Sequence, residues 1–225
     1  MSIPANVKWW RFSPAQLLEK YADRVFDRVH GTQTRSFTDL KTLDVTGTNK
    51  QHGERYQPSP VYSLRRLLKR LDIHYPDFSF IDFGSGKGRT LLIAGELPFR
   101  QVIGVEFSAD LHAQAQKNIA CYGTRQAGAV IPVHADATEF ELPQDDLVLY
   151  FFNPFSAPVL GKVLDNLLAS LEAKPRRVIL IYLYLPDAAW LDKLTMFTHR
   201  ETWRNYVVLE ASRASAAAMP SARST

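Results

Sequence analysis

Two kinds of hydrophobic spacing divide the chain. Over residues 14–29 the apolar positions Leu17, Leu18, Tyr21, Val25, Phe26 and Val29 recur at helical intervals, and a second helical pattern runs over 60–71. Ser13 stands before Pro14, an N-cap followed by proline in the first helical turn. In the second pattern Val61, Leu64, Leu67, Leu68 and Leu71 share one face, and Arg65, Arg66, Lys69 and Arg70 take the other. Residues 31–59, rich in Thr, Gly, Asn and Gln, read as mostly loop.

Beyond Tyr75 the pattern changes to short apolar runs separated by amphipathic stretches. Strands are predicted over 78–83, 101–107, 129–134, 147–152 and 178–184. Helices are predicted over 89–97, 109–122 and 157–173, with a short connection at 138–142. Alternation of this kind predicts an α/β, Rossmann-like, doubly wound and mostly parallel sheet. Two further strands, 196–203 and 206–212, are joined at 204–205 and read as an antiparallel hairpin closing a seven-stranded sheet. The expected organisation is a basic N-terminal extension over 1–75, a core domain over 76–213 and a disordered tail over 214–225, the tail being Ala/Ser-rich with few large apolar residues.

Composition narrows the class. With 46% hydrophobic and 22% charged residues, 225 residues suffice for one well-buried core with appendages. The longest apolar run, 178–185, falls far short of the ~20 residues that span a bilayer. The first residues contain no apolar signal-like stretch, so a cytoplasmic setting is expected. A single cysteine, Cys121, excludes an internal disulfide and is expected to pack as a small hydrophobe. The net charge of +4 is uneven. Residues 1–76 carry 13 Lys/Arg against 7 Asp/Glu, whereas 77–225 carry 14 against 16. The basic part fits a solvated helix face or an acidic partner such as nucleic acid. Six scattered histidines form no metal-binding spacing, so no metal is expected.

Chemistry concentrates where the first core strand ends, in Phe80-Ile81-Asp82-Phe83-Gly84-Ser85-Gly86-Lys87-Gly88-Arg89. Three glycines two residues apart permit positive φ and close approach of a ligand to the backbone. The helix that follows offers free N–H groups. The dinucleotide fingerprint places its third glycine one residue later, and a P-loop needs Ser or Thr after the lysine, so both readings are weakened. Glu106 ends the second strand, where a carboxylate can accept from both ribose hydroxyls.

These residues, with Asp136 after the third strand, resemble the class I, seven-stranded S-adenosylmethionine-dependent methyltransferases over about residues 56–212. The resemblance implies S-adenosyl-L-methionine as cofactor. The loop of Gly84, Ser85, Gly86 and Gly88 would pass beneath its methionine part, which Asp82 would orient. Glu106 and the adjoining Phe107 would take the ribose, and Asp136 with Ala137 the adenine. Tyr56-Gln57-Pro58-Ser59-Pro60 resembles a segment of the seven-stranded protein-lysine methyltransferases that covers the methionine end, which brings in Tyr56 and Ser59. Tyr150-Phe151-Phe152-Asn153-Pro154-Phe155 is similar to the acceptor motif at the end of the fourth strand, making Asn153, Pro154 and Phe155 the candidate catalytic residues. It is similar also to the Asn/Asp-Pro-Pro-aromatic motif of amine methyltransferases but lacks the second proline, which argues against a nucleobase or glutamine amide. The implied reaction is N-methylation of an amino group, with a protein lysine favoured and RNA or a small molecule as alternatives.

Aromatic residues at 150, 151, 152 and 155 can line a dry pocket that holds an amine neutral, although strand alternation sends Phe151 or Phe152 into the core. Two readings of other classes compete. A nicotinamide-linked oxidoreductase would use the same strand–loop–helix geometry, against the glycine spacing. A non-catalytic nucleic-acid module would use Arg65, Arg66, Lys69 and Arg70 and leaves the glycine loop unexplained.

Overall fold

The computed structural model describes residues 13–35, 57–152, 154–184 and 194–217. Helix α1 (Pro14–His30) begins with a reciprocal cap: Ser13 Oγ accepts from the Gln16 N–H and Gln16 Oε1 accepts from the Ser13 N–H. It ends at Gly31, whose φ of 68° lies in the left-handed region. Of its expected apolar face only Phe26 is buried, and Leu17, Leu18, Tyr21 and Val29 are exposed. The reason is that α1 docks through acidic side chains. Glu19 accepts from the Tyr62 and Ser63 N–H groups (2.7 and 2.9 Å) and Asp23 from that of Val61 (3.1 Å). These are the first N–H groups of α2 (Val61–Leu68), whose N-cap residue Pro60 has no side-chain cap to offer.

All five expected apolar residues of the second helical pattern are buried. The opposite cations are not a free strip. Arg65 pairs with Glu96 at 2.6 Å and Arg70 with Glu201 at 3.4 Å, while Arg66 Nη1 donates to the Tyr62 hydroxyl. Arg65 and Arg70 thus reach neighbouring elements, and Arg66 is held within α2.

Seven strands, β1 (Phe78–Phe83), β2 (Gln101–Glu106), β3 (Val130–His134), β4 (Asp146–Phe152), β5 (Val178–Leu183), β6 (Thr198–Trp203) and β7 (Tyr206–Ala211), form one sheet in the order β3-β2-β1-β4-β5-β7-β6. The first five are parallel, and β7 is antiparallel to both β5 and β6. Side-chain alternation separates two cores. Phe80, Val148 and Tyr150 point to one face, with residues of α2, α3 (Arg89–Ala94) and α4 (Ala109–Cys121). Ile81, Leu149 and Phe151 point to the other, against α5 (Ala157–Ala173). Phe26 of α1 belongs to the first cluster, so the N-terminal helices share a core with the sheet. The exposed edge strand β6 reads Thr-His-Arg-Glu-Thr-Trp, a polar sequence that discourages edge pairing.

Two expectations change. The tail starts with a short helix, α6 (Arg213–Ala217), capped where Ser212 Oγ accepts from the Ser215 N–H, with Ala216 buried in the second cluster. A cap and one small buried face hold residues 213–217 despite the shortage of large apolar side chains; 218–225 lie outside the described residues. Cys121 is exposed rather than packed, since it is the last residue of α4 and its helix turns Ile119 inward instead. No described helix is long and apolar enough to cross a membrane.

Candidate active site

The loop between β1 and α3 is drawn against β2: the Gly84 and Ser85 N–H groups both donate to the Val105 carbonyl (2.9 and 3.2 Å). Gly84, at φ 77°, could not be another residue, because a Cβ there would lie 2.6 Å from Pro154 Cβ. The glycine loop and the turn after β4 are thus in direct contact. Gly86, at φ 53°, aims its N–H at Glu106 Oε2 (2.8 Å). Gly88 is the N-cap of α3, and its missing side chain leaves room for Ala115 of α4.

Two buried carboxylates flank this loop from the ends of adjacent strands, Asp82 from β1 and Glu106 from β2. Glu106 Oε1 also accepts from the Ser108 N–H at 2.9 Å. Burial pushes the Glu106 carboxyl up; the N–H groups of Ser108, Gly86 and Phe107 and the charge of His134 oppose the rise. Burial pushes Asp82 up to about 8, against a hydrogen bond from Thr90 and with help from the Glu106 charge.

A set of hydroxyls continues from Asp82 to the N-terminal segment. Ser59 Oγ lies within hydrogen-bond distance, 3.0 Å, of both Thr90 Oγ1 and the Tyr150 hydroxyl, and all three residues are buried. Buried Arg89 ties the same segment down: Nε donates to Thr34 Oγ1 (2.7 Å), and Nη1 reaches Asp23 (3.2 Å) and the Ser59 carbonyl (3.4 Å). Sequence reasoning singled out Ser59 and missed Thr90, Arg89 and the role of the Tyr150 hydroxyl. For Thr90 and Arg89 the available signal was their place in the first turn after a glycine loop.

The structure brings Asp82, Gly84, Ser85, Gly86, Gly88, Glu106 and Pro154 to one end of β1, β2 and β4, with Ser59 joined to them by Thr90. Phe107 follows Glu106 and is half-buried; His134 Nε2 lies 3.0 Å from its carbonyl oxygen. Asp136 Oδ1 accepts from both the N–H and the hydroxyl of Thr138 (2.8 Å each), and Ala137 is buried in the second cluster. Phe155 is half-buried against that cluster. Tyr56 and Asn153 lie outside the described residues. The expected aromatic lining is corrected: Phe151 is stacked between Phe83 and Tyr182 in the second cluster, and Tyr150 belongs to the first. Alternation along β4 puts both in cores, leaving Phe152, half-buried beside Tyr184.

These residues fit an adenosyl cofactor with a cationic amino-acid end. Glu106 Oε2 accepts from the Gly86 N–H and Oε1 from the Ser108 N–H, with the Phe107 N–H also acting on the group, and the four lone pairs of a carboxylate leave capacity for a ribose hydroxyl. The Ser85 hydroxyl is buried within the loop without a partner among the described residues. Among the described residues no cluster of three His, Cys, Asp or Glu could hold a metal ion.

No family model matches the chain, and no curated protein matches it in sequence. Solved structures match in shape. A ribosomal protein L11 methylase from Lactobacillus delbrueckii subsp. bulgaricus is 18% identical with a TM-score of 0.51, over 69% of this chain and 79% of that one. An RNA methyltransferase from Salinibacter ruber in complex with S-adenosyl-L-homocysteine is 21% identical with a TM-score of 0.51, over 75% and 99%. A predicted N6-adenine-specific DNA methylase from Listeria monocytogenes is 12% identical with a TM-score of 0.53, over 68% and 51%. The chain has the Rossmann-like α/β fold of the class I methyltransferases.

Proposed function

We propose that the chain is an S-adenosylmethionine-dependent methyltransferase acting on an amino group by in-line transfer. The observation that carries this reading is the pair of buried carboxylates, Asp82 and Glu106, flanking a glycine loop whose Gly84 touches Pro154. S-adenosylmethionine, when bound, supplies an electrophilic methyl group on a sulfonium. Glu106 binds the ribose hydroxyls, and Asp82 with Thr90 and Ser59 orients the amino-acid end. Asp136, Ala137 and Phe107 border the adenine side, and the buried Ser85 hydroxyl donates to the cofactor. Pro154 and Phe155 stand where the acceptor amine is presented, and the neighbouring Asn153 supplies the polar contact to it. Placing the acceptor turn against the loop supplies alignment, the main demand of a displacement that needs no covalent intermediate.

Which amino group is the finer question. The Tyr56–Pro60 segment and the turn at 153–155 support a protein lysine, which must lose its proton in dry surroundings before reacting. The three solved structures described above bear names spanning a protein, an RNA and a DNA acceptor, so the fold leaves the acceptor open.

The test is calorimetric titration of S-adenosylhomocysteine into wild type and Glu106→Ala, with NADH as a parallel ligand. Wild type is expected to bind, and loss of two hydrogen bonds to a charged group weakens the variant by roughly 100-fold or more. Silence with S-adenosylhomocysteine and a clear NADH signal would overturn the proposal.

A further inference from the structure

Arg89, the first residue of α3, is 2% exposed, and its guanidinium gathers three stretches of chain that are distant in sequence. Nε donates to Thr34 beyond the end of α1, and Nη1 meets both Asp23 within α1 and the Ser59 carbonyl ahead of α2. Nη2 is buried with no hydrogen-bond partner among the described residues. As a source of stability this arrangement is poor. A buried guanidinium stabilises when its donors are met and its charge is well paired. Here one nitrogen is orphaned, and the Asp23 side chain that pairs with the group is 33% exposed.

What the arrangement supplies is position. Ser59 is buried yet belongs to no helix or strand, and it stands between Pro58 and Pro60. The following proline restricts Ser59 to extended backbone. Arg89 holds its carbonyl, while its hydroxyl lies 3.0 Å from Thr90 Oγ1. Consecutive residues of α3 therefore hold one serine by its main chain and by its side chain, and Thr90 continues to Asp82.

The segment that orients the guanidinium is itself tied to the glycine loop. Thr34 Oγ1 donates to Asp27 Oδ1 at 2.7 Å, and the Gln33 N–H donates to Asn118 Oδ1 at 2.8 Å. Asn118, buried in α4, donates from Nδ2 to the Lys87 carbonyl at 2.8 Å. Arg89 is thus fixed at its root by α3 and at its head by a stretch anchored to the loop that α3 follows. Its planar fork spans Thr34 and Ser59 at once. A lysine would keep the charge beside Asp23 and lose that span.

We propose that Arg89 is a positioning residue: by holding the Ser59 main chain it fixes the Ser59 hydroxyl beside Thr90 and Asp82, and so sets the affinity of the site for the amino-acid end of the cofactor. This role rests on the methyltransferase reading of the site. It also gives α1 and residues 32–34 a part in cofactor binding, exerted through Arg89 rather than by contact.

The experiment compares S-adenosylhomocysteine with methylthioadenosine, which keeps the nucleoside and the thioether but has no amino-acid end. Both are titrated calorimetrically into the full chain and into Arg89→Lys, Thr34→Val, Ser59→Ala and the Arg89→Lys/Ser59→Ala double variant. Wild type is expected to bind both ligands. Arg89→Lys should weaken S-adenosylhomocysteine by roughly 10-fold, the scale of one hydrogen bond to a charged group, and leave methylthioadenosine unchanged. Thr34→Val should give the same selective loss to a smaller degree, and it carries the test where Arg89→Lys does not fold. In the Ser59→Ala background Arg89→Lys should add little, because residues that act through one another are not additive. A general loosening of the fold would instead weaken both ligands alike. Equal losses for the two ligands, no selective loss in either single variant, or additive losses in the double variant would overturn the role of Arg89 and leave the methyltransferase reading in place. If wild type binds S-adenosylhomocysteine alone, additivity in the double variant decides. Wild type that binds neither ligand removes the methyltransferase reading and the role of Arg89 with it.

Discussion

Asp82 and Glu106 share a buried setting but are held differently. Backbone N–H groups satisfy Glu106, whereas Asp82 has a hydrogen bond from Thr90 and a neighbouring negative charge, and burial lifts it to about 8. At neutral pH the Asp82 carboxyl is therefore mostly protonated before ligand arrives. A cationic amino group beside it favours the charged form, so cofactor binding should expel a proton. The enthalpy of S-adenosylhomocysteine binding at neutral pH is expected to vary with the ionisation enthalpy of the buffer, and Asp82→Asn should remove that variation. A buffer-independent wild-type enthalpy would mean the carboxyl was already charged. The same group affects the free protein. Its folded value lies above the ordinary 3.8, so folding favours the protonated form. That contribution is complete below about pH 4 and is lost as pH rises through about 8. Asp82→Asn should flatten the loss over that window in thermal melts.

Helix α1 acts as an external cap for α2. Glu19→Ala removes the acceptor for the Tyr62 and Ser63 N–H groups and the carboxylate beside Arg204. A cost of roughly 1–2 kcal/mol is expected, which a thermal melt would register as a drop of about 2–8 °C in Tm. An unchanged melt would show that water replaces the carboxylate without loss. This contact also marks where reading the chain stopped working. Strand and helix limits were legible because apolar period and glycine or proline punctuation are local: β1 and α5 fall on the predicted residues. The buried face of α1 was not legible, because apolar spacing does not say which neighbour a helix meets. Glu19 finds its partners more than forty residues away. The glycine loop and Glu106 could be read because their chemistry is contiguous or at a strand end. The parts of Thr90 and the Tyr150 hydroxyl could not, because they meet Ser59 only after folding.

The N-terminal helices and the sheet share one apolar cluster, so the molecule is expected to unfold as one unit. Phe26 packs there, with the guanidinium groups of Arg65 and Arg89 over its ring at 5.5 and 5.4 Å. Phe26→Ala should destabilise the whole protein by roughly 3–5 kcal/mol. Near- and far-ultraviolet dichroism should still melt together; an earlier, separate loss of helix signal would show that the extension unfolds alone. The contact between Gly84 and Pro154 acts across the same unit. These residues lie seventy positions apart and leave no room for a methyl group between them. A lineage changing its acceptor can remodel the loops around the sheet freely, but drift at either position is conditional on the other. Anyone transplanting the β4–α5 connection into a related scaffold must transfer the two positions as a pair.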